Sequence, residues 1–325
     1  MTRIEVVAPE GVPEVRRGDD LVALLLPLVD LADGDVVVVT SKVVSKAEGR
    51  VVTGTREDLL AGETQRVVAR RGPTTIVRTR LGLTMAAAGI DASNVAAGSV
   101  VLLPEDPDRS ARMLRAAIHE RTGRNVGVVV TDTAGRAWRE GQTDIAIGAA
   151  GLRVAEDFAG RVDPHGNELA VTLPAVADEI AGVAELASGK LGARPFAVVR
   201  GRADLVLPVG ESGPGAASLV RPEGGDLFGY GAREAVVRAL RGDPADRPPF
   251  GSPAPAAELL GALDSVLGDG AGAPAADGDL VVQVGDATAP VGTVAALAFA
   301  HGWEVVPAGD GADSPVEVRL RPVTP

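Results

Sequence analysis

Short runs of β-branched, apolar residues punctuate this chain and alternate with longer stretches of helical periodicity. Ile4–Val7, Val36–Val39, Thr74–Val77, Val100–Leu103, Val126–Val130 and Phe196–Arg200 each read as a strand, bounded by Gly, Pro, Asp or Asn. Between them, apolar residues recur at helical spacing. Leu21, Leu24, Leu25, Leu28 and Leu31 follow the acidic start Asp19-Asp20, and Asp106–Arg121 opens with Pro107. Helices are also expected over Arg56–Arg70, Val171–Leu186 and Arg233–Arg241. The acidic run Asp178, Glu179 and Glu185 reads as a solvated face. Alternating strands and helices place the chain in the α/β class. From Asp243 the composition turns Pro-rich, so residues 246–255 read as a linker, separating a domain of residues 1–245 from a small β/α appendage at 256–325. In the appendage, helices are expected at Ala256–Leu267 and Val291–His301, and strands at Leu280–Val284 and Val316–Leu320.

The stretch of greatest chemical interest is Val126–Gly148. Its apolar strand runs into Thr131-Asp132-Thr133, a turn is expected at Ala134-Gly135, and Arg136, Trp138 and Arg139 follow. In α/β folds ligands gather outside the carboxyl ends of strands. There, an Asp and a Thr hydroxyl are hard oxygen ligands, and arginines suit phosphate or carboxylate. Taken alone, Asp132 is better explained by capping a turn amide. A second strand exit, Ser41-Lys42-Val43-Val44-Ser45-Lys46, alternates hydroxyls and lysines and could cradle phosphate oxygens or simply be a solvated turn. Asp91 and Asn94 fall in a third polar turn, after the small residues Ala86–Gly89. Gly189-Lys190-Leu191 lacks the spacing and the hydroxyl of a Walker A loop.

Composition narrows the chemistry. No cysteine occurs, which excludes thiolate nucleophiles, disulfides and Cys-ligated metal. The three histidines, His119, His165 and His301, are scattered, so any metal is expected to be Mg²⁺ or Mn²⁺ held by carboxylates rather than zinc. The formal net charge of −12 argues against nucleic acid as a partner, since that needs a basic face. No apolar run suits a secretory signal or a membrane span, so a cytoplasmic location is expected.

Five motifs in order resemble the coenzyme F420 γ-glutamyl ligase family. They are Val12-Pro13-Glu14-Val15 before Gly18-Asp19-Asp20; Ser41 to Arg50; Ala88-Gly89-Ile90-Asp91 with Ser93-Asn94; Thr131-Asp132-Thr133 with Gly135-Arg136 and Trp138-Arg139; and Leu219-Val220-Arg221-Pro222 with Asp226-Leu227-Phe228. The resemblance implies mixed sheets with flanking helices, a homodimer, GTP as co-substrate, Mg²⁺ or Mn²⁺, and amide formation between a deazaflavin precursor and L-glutamate through an acyl phosphate. It further implies that Val12, Pro13, Glu14, Val15, Ser41, Lys46 and Asn94 touch GTP. Glu211, Ser212 and Gly213 would lie over its phosphates. Asp91, Asp132 and Thr133 would hold the metals, with Asp91 and Asp132 as the catalytic pair. The sequence departs from the family in having Leu81, Met85 and Ala87 where many members are more polar, and its tail does not resemble a flavin-binding domain. Two alternatives stay open on sequence grounds: a nucleotide- and metal-binding regulatory protein, and a different amino-acid ligase on the same scaffold.

Overall fold

The computed structural model describes residues 3–284, 291–306 and 317–323. They form two compact units, residues 1–220 and 221–325.

The first unit is built on a five-stranded mixed sheet. Its elements are β1 (Glu5–Val7), α1 (Leu21–Leu25), β2 (Val36–Thr40), α2 (Ser41–Glu48), β3 (Val51–Thr53), α3 (Arg56–Glu63), β4 (Thr64–Arg71), β5 (Thr74–Thr79), β6 (Thr84–Ala86), β7 (Ser99–Val101), α4 (Pro107–Thr122), β8 (Gly127–Arg136), β9 (Arg139–Ala150), β10 (Arg161–Val162), β11 (Glu168–Leu169), α5 (Val176–Ser188) and β12 (Phe196–Arg200). The central order is β1-β12-β2-β8-β9, antiparallel except for the parallel pair β2–β8. β2 and the first half of β8 are almost wholly Val because both faces of a central strand are covered. Val37, Val39, Val128 and Val130 pack under α1, α2 and α4. Val36, Val38 and Val129 pack on the other face, under α5. Period-2 alternation thus divides one apolar run between two cores. Smaller sheets, β3–β7 and β4–β5–β6, flank the central one.

Several boundaries depart from the sequence pattern, each for a local reason. The helix after Asp20 stops at Leu25, two residues before Pro27, which has no N–H to continue it. The pattern over Arg56–Arg70 divides: α3 carries a Thr55/Asp58 capping box, and β-branched Thr64, Val67 and Val68 then continue as β4. α5 starts at Val176, after Pro174. β8 does not end at Thr131. It runs through Asp132 and Thr133 to Arg136, and the hairpin turns at Trp138, which has φ +63°.

The second unit starts at Arg221, earlier than the Pro-rich segment suggested. It holds α6 (Ala232–Arg241), α7 (Ala256–Leu267), β13 (Gly272–Pro274), β14 (Leu280–Gln283), α8 (Val291–Ala300), β15 (Trp303–Val306) and β16 (Glu317–Pro322), with an antiparallel sheet ordered β13-β14-β16-β15. Val316, expected to open the last strand, lies outside the described residues. Residues 246–255 are packed rather than free. Pro244 and Pro248 open 3-10 turns, where no N–H is needed, and buried Asp246 pairs with Arg238 and Arg241. The Phe250 ring lies 5.7 Å from both Tyr230 and Phe299. His301 and Trp303 bond backbone carbonyls of this unit, as packing residues do. Among the described residues no helix is long and apolar enough to cross a membrane.

Candidate active site

Register builds the centre of the site. β2 and β8 run parallel with Thr40 opposite Thr131, so the next residues, Ser41 and Asp132, leave the pair side by side. Ser41 opens α2 and donates from Oγ to Asp132 Oδ1 at 2.8 Å. Burial pushes the Asp132 carboxyl up to about 7, against the pull of the Ser41 hydroxyl; the charges of Asp144 and Asp91 raise it further, while the Thr133 amide lowers it.

Asp91 arrives by a different route. Ala87, Ala88 and Gly89 are all left-handed, with φ of 49°, 53° and 71°, and the chain then bridges Asp91 to Val101. Glycine is required at position 89, where a Cβ would sit 2.8 Å from Leu103. Asp91 accepts from Lys42 Nζ at 2.6 Å and from the Ser93 amide and hydroxyl at 2.7 and 3.0 Å. Burial alone would raise its carboxyl, but Lys42 and Ser93 together hold it below the usual range.

Asp91, Asp132, Ser41, Lys42 and Ser45 line one small cavity of about 10 Å³, room for a single water-sized ion. The buried Ser45 hydroxyl there has no hydrogen-bond partner. Two carboxylates, one with its charge disfavoured, beside an orphaned hydroxyl fit a hard divalent cation. Among the described residues no group of three or more His, Asp or Glu side chains could hold a metal ion, so water or substrate oxygens would complete its shell.

Lys46 sits in the last turn of α2, buried rather than in a solvated turn, and Gly49 caps the helix at φ +79°. Its ammonium donates to the Asn94 carbonyl at 2.7 Å and pairs with Glu14. Val15 is buried in the core beneath α2, with Val12 packed against that core. The structure therefore brings Ser41, Lys46, Glu14 and Asn94 together around one short helix. Pro13 lies in the same loop.

Thr133 is placed differently from its neighbour. Consecutive strand residues face opposite sides of a sheet, and Thr133 does not line the Asp91–Asp132 cavity. It joins a second cluster that sequence reasoning missed. Asp144, only 5% exposed and opposite Thr133 in the hairpin, accepts from Thr131 Oγ1 at 3.0 Å and Thr133 Oγ1 at 2.8 Å. Lys190 Nζ donates to Thr133 Oγ1 at 3.2 Å. Burial and Asp144 raise the Glu185 carboxyl, and Lys190 opposes them. Asp178, from the same acidic run, accepts from the Ala146 amide. The available signals were the Thr-x-Thr spacing and a Gly-Lys pair just after a helix.

The Glu211–Gly213 loop sits elsewhere. The Glu211 carbonyl accepts from Arg115, and the Ser212 carbonyl accepts from Gly151, which lies about 20 Å along β9 from the residue opposite Asp132. Val209, Gly210 and Ser212 line a separate cavity against α4.

The first unit is thus a mixed α/β frame in which carboxylates, lysines and hydroxyls gather where the parallel strands β2 and β8 end. Residues 11–201 match the model of the family described as F420-0:gamma-glutamyl ligase, and the chain belongs to that family. It is 43% identical to the coenzyme F420:L-glutamate ligase of Archaeoglobus fulgidus over 220 residues, 61% of this chain and 88% of that protein. The ligase of the same name from Haloarcula marismortui is 41% identical over 61% of this chain and 87% of its own length. That of Methanopyrus kandleri is 38% identical over 70% and 97%.

Proposed function

We propose that this protein is a GTP-dependent ligase that joins L-glutamate to the deazaflavin precursor of coenzyme F420 through an amide bond. The observation that carries the reading is the shared cavity of Asp91 and Asp132, fixed by the Thr40–Thr131 register and bordered by Lys42. A carboxylate is a poor electrophile and must be activated before an amine can displace one of its oxygens. Transfer of the γ-phosphoryl group to a carboxylate oxygen breaks the bond to GDP and forms an acyl phosphate. The glutamate amine then attacks the acyl carbon, and phosphate leaves. Such transfer depends on positioning and charge neutralisation. Lys42 and Lys46 supply fixed positive charge, Ser41 holds the Asp132 carboxylate in one orientation, and Glu14 and Asn94 anchor Lys46. Mg²⁺ or Mn²⁺, when bound by Asp91 and Asp132, would neutralise phosphate charge.

The resemblance to the family supports a homodimer, and Trp138, 86% exposed at the β8–β9 turn, is a candidate contact. Light scattering should give twice the chain mass, falling to one chain in Trp138→Asp if that residue lies at the interface.

The test is incubation with the precursor, GTP, Mn²⁺ and labelled glutamate, read by mass spectrometry. A product heavier by one or more glutamyl units is expected. GTP turnover without incorporation would instead favour a nucleotide-binding regulator. Oxygen-18 in the acceptor carboxylate should appear in the released phosphate, and unlabelled phosphate would exclude the acyl phosphate.

A further inference from the structure

The first unit contains a second cavity, of about 430 Å³, unconnected with the residues named above as the active site. That volume lies in the range of small-molecule sites. One wall is a face of α4, where Arg112, Ala116, His119 and Glu120 recur at helical spacing. Arg124 follows the Gly123 cap, and Val209, Gly210 and Ser212 form the other wall.

The charge here runs against that of the molecule. In a chain of net charge −12, three arginines border this cavity and Glu120 is the only acidic residue lining it. The arginines divide by role. Arg115 is buried, and its guanidinium is used up on neutral acceptors: the carbonyls of Val126, Leu207, Pro208 and Glu211, and the Asn125 side chain. Its hydrogen bonds go to neutral acceptors, and the nearby Glu211 carboxylate offsets part of its charge. Arg112 and Arg124 are exposed, and each has one long ion pair, with Asp106 at 3.7 Å and Asp33 at 3.6 Å. An entering oxyanion would compete with those exposed carboxylates for the planar fork of each arginine. About 15 Å of helix, from Arg112 to its end at Thr122, and the Gly123 turn separate the two backbones, too far for one phosphate to bridge.

We propose that this cavity binds a small, elongated ligand bearing oxyanion groups at both ends, one held by Arg112 and one by Arg124. Ala116 on one wall and Val209 on the other supply apolar surface between them. The ligand is either a polycarboxylate or an organic polyphosphate, since both present the planar or tetrahedral oxyanions that arginine recognises.

Calorimetric titration of the full chain with tri-γ-glutamate and, separately, with a linear inorganic polyphosphate long enough to reach both arginines tests this. Saturable one-to-one binding of at least one probe is expected, and the preferred probe identifies the source of the oxyanions. Arg112→Gln and Arg124→Gln should each weaken it about tenfold, the worth of one charge-assisted contact. Arg→Lys at either position should fall between, because charge remains while the fork is lost. Ala116→Glu, at an exposed helix position, should abolish binding without touching either arginine. Asp132→Asn should leave it unchanged, which separates this cavity from the active site. Absence of saturable binding by both probes would overturn the proposal. So would affinities unaltered in Arg112→Gln, Arg124→Gln and Ala116→Glu, or affinity lost in Asp132→Asn instead.

Discussion

At the scale of single residues, Asp132 carries the strongest prediction. Its folded-state carboxyl titrates at about 7, against an unfolded value near 3.8, because burial and the neighbouring Asp144 and Asp91 charges oppose ionisation. A group raised in the folded state contributes stability that is complete below its unfolded pKa and lost as pH rises through its folded one. Without divalent cation, the melting temperature should therefore fall between about pH 4 and pH 7 in part through this group, and Asp132→Asn should lose that component. Added Mn²⁺ should restore stability at pH 8 in the native protein and do so much less in the variant. Ligase turnover should collapse in Asp132→Asn; full activity would dismiss its role. Lys46 changes character once its surroundings are seen. A buried ammonium tied to Glu14 and Asn94 has a structural role beside its proposed one, so Lys46→Ala should cost about 1–3 kcal/mol of stability, read by denaturant titration, and weaken GTP binding if the proposed role holds. Asp144→Ala would leave two threonine hydroxyls without their acceptor and loosen the Thr133 hydroxyl that Lys190 contacts. A raised KM for a phosphate-bearing or amine substrate is expected, with metal-dependent stabilisation retained.

At the scale of elements, the most informative is the left-handed turn at Ala87-Ala88-Gly89. Non-glycine residues pay for this conformation, at about 1–2 kcal/mol each. The turn persists because Ala88 and Ile90 are buried and Asp91 is bridged to Val101, which leaves the carboxylate facing Lys42. Strain held beside a candidate site is consistent with positioning. Ala87→Gly relieves it without removing buried volume, since Ala88 carries the fully buried methyl. That variant should melt higher, by up to about 1 kcal/mol, and any loss of turnover without loss of stability would show that the rigid turn serves catalysis. The β8–β9 hairpin teaches a related lesson. Thr131, Asp132 and Thr133 lie within a strand, so alternation sends Asp132 toward α2 and both threonines toward Asp144.

At the scale of the molecule, the division after Val220 predicts where the chain can be cut. The family model covers residues 11–201, within the first unit, whereas the motif Arg221-Pro222 with Asp226-Leu227-Phe228 lies beyond Val220. A protein ending at Val220 should fold with a cooperative melt, and retained ligase activity would show that this motif is dispensable. One ending at Ala245 would keep α6 but strand Arg238 and Arg241 without Asp246, and should aggregate more readily. A soluble, dimeric but inactive protein ending at Val220 would show that the second unit takes part in catalysis.

Sequence by itself determined the strands whose residues have little choice: the Val runs at 36–39 and 126–130, and Phe196–Arg200, became central strands because β-branched residues buried on both faces suit no other place in this fold. It also determined the helices with explicit ends, such as α4 with Asp106, Pro107 and Gly123. The ordered motifs identified the family, and the oxygen-rich, cysteine-free composition bounded the chemistry. What tertiary structure alone decided was adjacency. That Ser41 meets Asp132 follows from strand register, a non-local quantity with no local signature. Lys190 and Asp144 meet at Thr133 from three separate segments, and Arg115 reaches the 207–211 carbonyls from α4. Burial of Lys46 and Asp144 likewise depends on what packs over them, because a charged side chain reads as exposed until the groups that satisfy it are brought into place.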